Sequence, residues 1–191
     1  MACGINLGRK EPCKDVVGGL RNVYFINYDD TNKSITFDST DDTLVETLGT
    51  SGTEEVEGHK YELKGNSSFE QNITSSRENG TTFFEQTLNL TLHKLTKEDN
   101  KELKLLAYGR PVVVVEDYNS NLFVMGVEHG ADVSGGTIVT GAAMGDLSGY
   151  TLTLTGMEKA PANFIEKTSA TETVQTTLDN AFVNVIVGTN S

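Results

Sequence analysis

From Lys60 to Leu95 the chain alternates apolar and polar residues at every second position, broken only by SSRENG. A period of two sends successive side chains to opposite faces of an extended chain, so two such runs joined by a turn-forming segment specify a long β-hairpin. On the first run Tyr61, Leu63, Phe69 and Ile73 share one face, and Glu62, Lys64, Asn66, Ser68, Glu70, Asn72 and Thr74 share the other. On the second, Phe84, Leu88, Leu90 and Leu92 form the apolar face, and Glu85, Thr87, Asn89, Thr91 and His93 the polar one. Both runs exceed the usual strand of about 5 to 6 residues. One face suits a core. The other, rich in uncharged Thr, Ser and Asn, is wet without being adhesive.

After Leu95 the period changes. Thr96 with Asp99 resembles a capping box, Glu98 and Asp99 favour a first turn, and Leu103, Leu106 and Ala107 fall on one stripe before Gly109 and Pro111. This predicts one short helix, Lys97 to Tyr108, lying on the sheet's apolar face. PVVVVED and NLFVMG then form a second hairpin, and Val112 to Val115 are apolar on both faces, as in a central strand buried between layers. NVYFINYDD and SITFDS read as a hairpin across Asp29 to Asn32. GGTIVTGAAMGD, GYTLTLTGME, ATETVQTTL and NAFVNVIVG supply further strands. The expected fold is mainly β, a sandwich or barrel of roughly eight to ten strands with one flanking helix at about 97–108. Residues 1–19 read as an extended, Gly-punctuated arm and 20–191 as one domain, with an acidic, mobile loop at 38–58.

Charge and motifs narrow the function. The formal charge of −12 over 191 residues opposes binding nucleic acid by neutralising phosphates. No run is long and apolar enough for a membrane span, and MACGINLGRKEPCKD has no signal-peptide core, which places synthesis in a cytoplasm. Cys3 and Cys13, the two cysteines, read as free thiols. The sequons at Asn66, Asn72, Asn79 and Asn89 reflect a Thr- and Asn-rich strand composition.

His59, His93 and His129 are scattered and share no metal-binding spacing. No pattern places a nucleophile beside His93, and GGTIVTGAAMGDLSG lacks the Lys-Ser/Thr of a phosphate loop. Asp117, Asn119, Asn121 and Glu128 match the spacing of a calcium loop, but Leu122 stands where that loop needs Gly, and strands flank it. A polar hairpin turn accounts for them. The residues thus point to no catalytic centre, metal or cofactor.

Taken in order, FFEQTLNLTLHKLTKEDNKELKLLAYGRPVVVVEDYNSNLFVMG and SGYTLTLTGMEKAPANFI resemble the tail tube (major tail) proteins of tailed bacteriophages. The likeness covers about half the chain and lies in the order and length of elements. GGLRNVYFINYD and GYTLTLTGMEKAPA also resemble virion proteins of phages that infect Bacteroidetes-type bacteria. In the tail tube family a β-sandwich with one flanking helix forms hexameric rings, whose joined sheets make a barrel around a lumen, and the rings stack through arms and loops. The resemblance implies a structural virion protein of the phage tail, with copies of itself and other tail proteins as partners. DNA would meet it only in passage during ejection. It turns the polar face named above, from Glu62 to His93, toward the lumen, and gives ring-to-ring contacts to the 1–19 arm and the 38–58 loop. Another virion ring protein (tail terminator, head-to-tail ring or decoration) is the second reading, and a calcium-dependent carbohydrate-binding sandwich the third.

Overall fold

The computed structural model describes residues 8–11, 13–28, 34–49, 56–165, 167, 169, 171–181 and 183–187. The fold is mainly β, and the described residues form two sheets and no closed barrel. The larger sheet contains β1 (Leu20–Ile26), β2 (Ser34–Phe37), β3 (Leu44–Gly49), β4 (Val56–Glu62), β7 (Val112–Asp117), β8 (Leu122–Met125), β11 (Asn163–Ile165) and β12 (Val183–Val187), in the order β12-β4-β1-β7-β8-β11-β3-β2. The smaller contains β5 (Ser68–Ser76), β6 (Thr81–His93), β9 (Asp132–Val139) and β10 (Gly149–Glu158), in the order β5-β6-β10-β9. Two helices, α1 (Lys97–Tyr108) and α2 (Val174–Asn180), complete the described elements.

As its sequence predicts, β7 is central and buried on both faces. Val113 and Val115 join Val23, Phe25, Leu88, Leu90 and Leu154 in the core between the sheets. Val112 and Val114 point the other way, into a second core with Tyr24, Ile26, Leu48, Val124, Leu178 and Val183. Complete burial of each valine contributes about 1.5 to 3 kcal/mol. The second core gathers residues from β12 and β3, near opposite ends of the larger sheet, so that sheet curls around it. The Leu48 N–H donates to the Ala181 carbonyl at 3.0 Å, tying β3 to the end of α2.

The helix α1 has the expected bounds. Thr96 accepts from the Asp99 N–H at 3.0 Å, and Leu103 is buried. Elsewhere the expectations change. Among the described residues there are twelve strands, somewhat more than the roughly eight to ten expected, and α2 begins within ATETVQTTL, where the sequence predicts a strand. Its Thr173–Thr176 capping box and the buried, helically spaced Thr177, Leu178 and Ala181 outweigh its β-branched composition.

The strand β1 does not pair with β2; its neighbours are β4 and β7, while β2 pairs with β3. Asp29 to Asn32, read as that hairpin's turn, lie outside the described residues. The acidic segment 38–58 is not one loop, for it contains β3 and the start of β4. It opens on two local turns, with Asp38 accepting from the Thr40 and Asp41 N–H groups and Asp41 from Thr43. The Thr40 and Thr43 hydroxyls, which donate to Asp38 and Asp41, together with these N–H bonds hold both carboxyls below the ordinary aspartate range. Residues 50–55 lie outside the described part.

Two leucine-sized side chains separate core from rim. Leu154→Ala, at a fully buried position, should cost about 2 to 5 kcal/mol in urea unfolding. Ile73→Ala, where the side chain is 69% exposed, should stay within about 0.5 kcal/mol of the parent.

Candidate functional site

The long hairpin exists as β5 and β6, joined through residues 77–80, where Gly80 adopts a φ of 63°. Its register pairs Ser68 with Asn89, Glu70 with Thr87, and Asn72 with Glu85. The strand β10 continues these rows, pairing Thr151 with Thr91, Thr153 with Asn89 and Thr155 with Thr87. Then β9 extends them with Thr137, Gly135 and Asp132. The alternate residues of all four strands face the larger sheet, leaving this hydroxyl- and amide-rich surface outside.

Cross-strand bonds order the surface. The Thr137 and Thr151 hydroxyls lie 2.7 Å apart, and Thr153 donates to Asn89 Oδ1 at 2.9 Å. Pairs of this kind each add a few tenths of a kcal/mol to about 1 kcal/mol to a sheet. Among the described residues on this face, Glu70, Glu85, Asp132 and His93 are the titratable ones, and there is no Lys or Arg.

Nine of the sequence-predicted face residues therefore come together: Ser68, Glu70, Asn72, Thr74, Glu85, Thr87, Asn89, Thr91 and His93. Glu62, Lys64 and Asn66 do not join them. Glu62 ends β4 in the other sheet, while Lys64 and Asn66 lie in the β4–β5 connection. There Gly65 and Asn66 take positive φ values of 70° and 51°, ending the continuous alternation. The carbonyl of Asn66 still accepts from the Thr91 hydroxyl at 3.1 Å, so it borders the face. Lys64, Arg77 and Lys94 all sit beyond the ends of the strands. Sequence reasoning missed the half of the face on β9 and β10, although T-x-T-x-T at 151–155 carries the same period of two.

Among the described residues both outer strands of this sheet have an unpaired edge: β5 on one side, β9 on the other. Each also leaves an apolar residue of its inner face open, Ile73 at 69% and Ile138 at 63% exposure. Successive strands are antiparallel, so the two edges run in opposite directions.

The calcium-like spacing at Asp117 resolves into a hairpin turn. Asp117 accepts from the Asn121 N–H at 2.8 Å, from Asn121 Nδ2 at 2.9 Å and from Asn119 Nδ2 at 3.2 Å. Both carboxylate oxygens are thus engaged by amides. Asn119 reaches outward as well, accepting from the Val17 N–H at 3.1 Å and donating to the Val17 carbonyl at 2.8 Å. A side-chain amide here imitates a strand neighbour and fixes the arm, which remains exposed at Val16 and Val17. Residues 1–7, with Cys3, lie outside the described part.

Two buried carboxylates lie away from the face. Glu116 borders an open cleft of 460 Å³ and accepts from Asn22 Nδ2 at 2.5 Å and Tyr24 Oη at 2.9 Å, with Arg21 at 3.7 Å. It ties β1 to β7. Burial and the Glu116 charge hold the Tyr24 hydroxyl well above the ordinary tyrosine range. Glu158, at the end of β10, accepts through Oε1 from the Glu128 and His129 N–H groups at 3.1 and 2.9 Å. Burial raises its carboxyl above the ordinary range despite these bonds.

No family model, curated protein or solved structure matches the chain.

A raised folded-state pKa means that the stability contributed by Glu158 is fully present below the ordinary glutamate value and is lost as pH rises through the folded value. Glu158→Gln keeps an oxygen for both N–H groups and stays neutral. In chelator-treated protein it should melt with the parent near pH 4 and above it at pH 7; a lower melting temperature at pH 7 would refute the assigned strain.

Proposed function

We propose that this protein is a structural subunit of a bacteriophage tail tube, which closes into rings through the edges of its four-stranded sheet and stacks into a conduit for DNA. The observation that carries this reading is the small sheet itself, which among the described residues has two free, oppositely directed edges and an outer face bearing carboxylates and hydroxyls but no Lys or Arg.

An exposed, regular sheet edge is an aggregation hazard for a monomer. Copies in one orientation would bring the β5 edge of one against the β9 edge of the next in antiparallel sense, and repetition around a ring would remove every edge. Ile73 and Ile138, apolar and open at those two edges, would be covered at the same joint. Six copies follow from the resemblance to the tail tube family. The polar face would then line the lumen, where Glu70, Glu85 and Asp132 repel phosphates and the Thr and Asn rows stay hydrated without gripping DNA. The arm, pinned by Asn119, supports a role in contacts between rings, with other tail proteins capping the tube.

Electron microscopy of the purified protein should show stacked six-fold rings or tubes. Ile73→Lys with Ile138→Lys should abolish them while leaving the monomer's melting temperature within a few degrees of the parent. A parent that stays monomeric at high concentration sinks the reading, and closed single rings that do not stack favour a ring adaptor of the same virion.

The lumen assignment has its own test. Glu70→Lys with Glu85→Lys should leave assembly intact and slow DNA ejection, with a stronger dependence on salt. Unchanged ejection would remove these residues from the channel wall.

A further inference from the structure

We propose that Glu128, His129 and Glu158 bind one divalent cation of the zinc class, at a site independent of the sheet edges and of the polar face. One ligand atom from each residue lies within 4.8 Å of the other two. Bonds of about 2.0 to 2.2 Å put tetrahedral zinc ligands about 3.3 to 3.5 Å apart. Closure therefore requires a movement of about 1 Å, which two exposed side chains can supply.

The anchor is Glu158, 5% exposed as a residue. Its Oε1 is occupied by two backbone N–H groups, and among the described residues its Oε2 accepts no hydrogen bond and no Lys or Arg pairs with it. The two N–H bonds explain why a polar group stands there. They do not explain why it is an acid, because an amide oxygen accepts them equally well and avoids burying a charge. The second oxygen is not sealed from solvent, so a cation can reach it there and neutralise the charge.

The other two ligands come from a turn that is already fixed. The Gly130 N–H donates to the Gly126 carbonyl at 2.9 Å, and the Ala131 N–H to Pro111 at 2.8 Å. Tyr28 Oη donates to the Glu128 carbonyl, and Arg110 stacks on the Tyr28 ring at 4.6 Å. Gly126 and Gly130 both have positive φ, and a Cβ on Gly126 would meet the Gly130 backbone at 2.6 Å. Residues 128 and 129 thus leave a rigid base, as preorganised ligands must.

Among the described residues neither nitrogen of the exposed His129 ring has a hydrogen-bond partner, so the imidazole is open to ligation. Glu128 pairs with Lys159 Nζ at 3.0 Å, a contact that a bound ion would displace. One imidazole with two carboxylates, leaving a fourth position for water, suits zinc. Calcium and magnesium prefer all-oxygen shells. A cation here would fasten the end of β10 to the β8–β9 turn.

The test uses the Ile73→Lys, Ile138→Lys protein, so that assembly does not enter, with Cys3→Ser and Cys13→Ser to remove thiol binding. Zinc chloride titrated into chelator-stripped protein should give one ion per chain by calorimetry and raise the melting temperature. His129→Ala and Glu158→Gln should each weaken binding at least tenfold, and Lys159→Ala should tighten it. Magnesium and calcium should give no saturable heat. Absence of saturable zinc binding, or a parental isotherm in both His129→Ala and Glu158→Gln, overturns the site.

Discussion

The structure depends on a strand that must be covered twice. Val112 to Val115 present valines to both faces of β7, so no single layer can keep them from water. The smaller sheet covers Val113 and Val115. The curl of the larger sheet, with α2 against it, covers Val112 and Val114. Of the two cores, the one between sheets fixes which side of β5, β6, β9 and β10 turns inward, and thereby which side is left as a polar face. The surface chemistry of the small sheet is thus a consequence of where the valines had to go.

What was legible in the sequence was whatever a local period could carry. The alternation at Phe69 to Ile73 and Phe84 to Leu92, the Thr96 cap and the apolar run of β7 each report an element's type and inward side, because neighbours in sequence determine both. Pairing is a different quantity. The strand β1 lies between β4 and β7, partners about 35 and 90 residues away, and its own residues carry no mark of either. The nearest apolar run, at Ile35, was therefore an attractive but wrong partner.

The errors at the face have an equally local cause. Glu62 and Lys64 continue the parity of Ser68 and Glu70 in the text, yet the chain turns at Gly65-Asn66 and the parity ceases to mean a shared surface. A Gly-Asn pair inside an alternating run was the available signal. The turn at Asp117 shows the converse: its acidic and amide spacing suggested a ligand set, and the three-dimensional arrangement gives those amides to Asp117 itself and to the arm. Glu128, from the same motif, lies instead with its neighbour His129 beside Glu158, which is 30 residues further along the chain.

Strand parity sets how the small sheet can change. With four strands in alternating directions, a copy added in the same orientation meets its neighbour antiparallel. One extra strand would make every such junction parallel, a slightly weaker pairing per residue with a different bond pattern. The sheet can therefore widen or narrow without altering its junctions only by whole hairpins, which makes the hairpin, and not the strand, the natural unit of change in any assembly built from it.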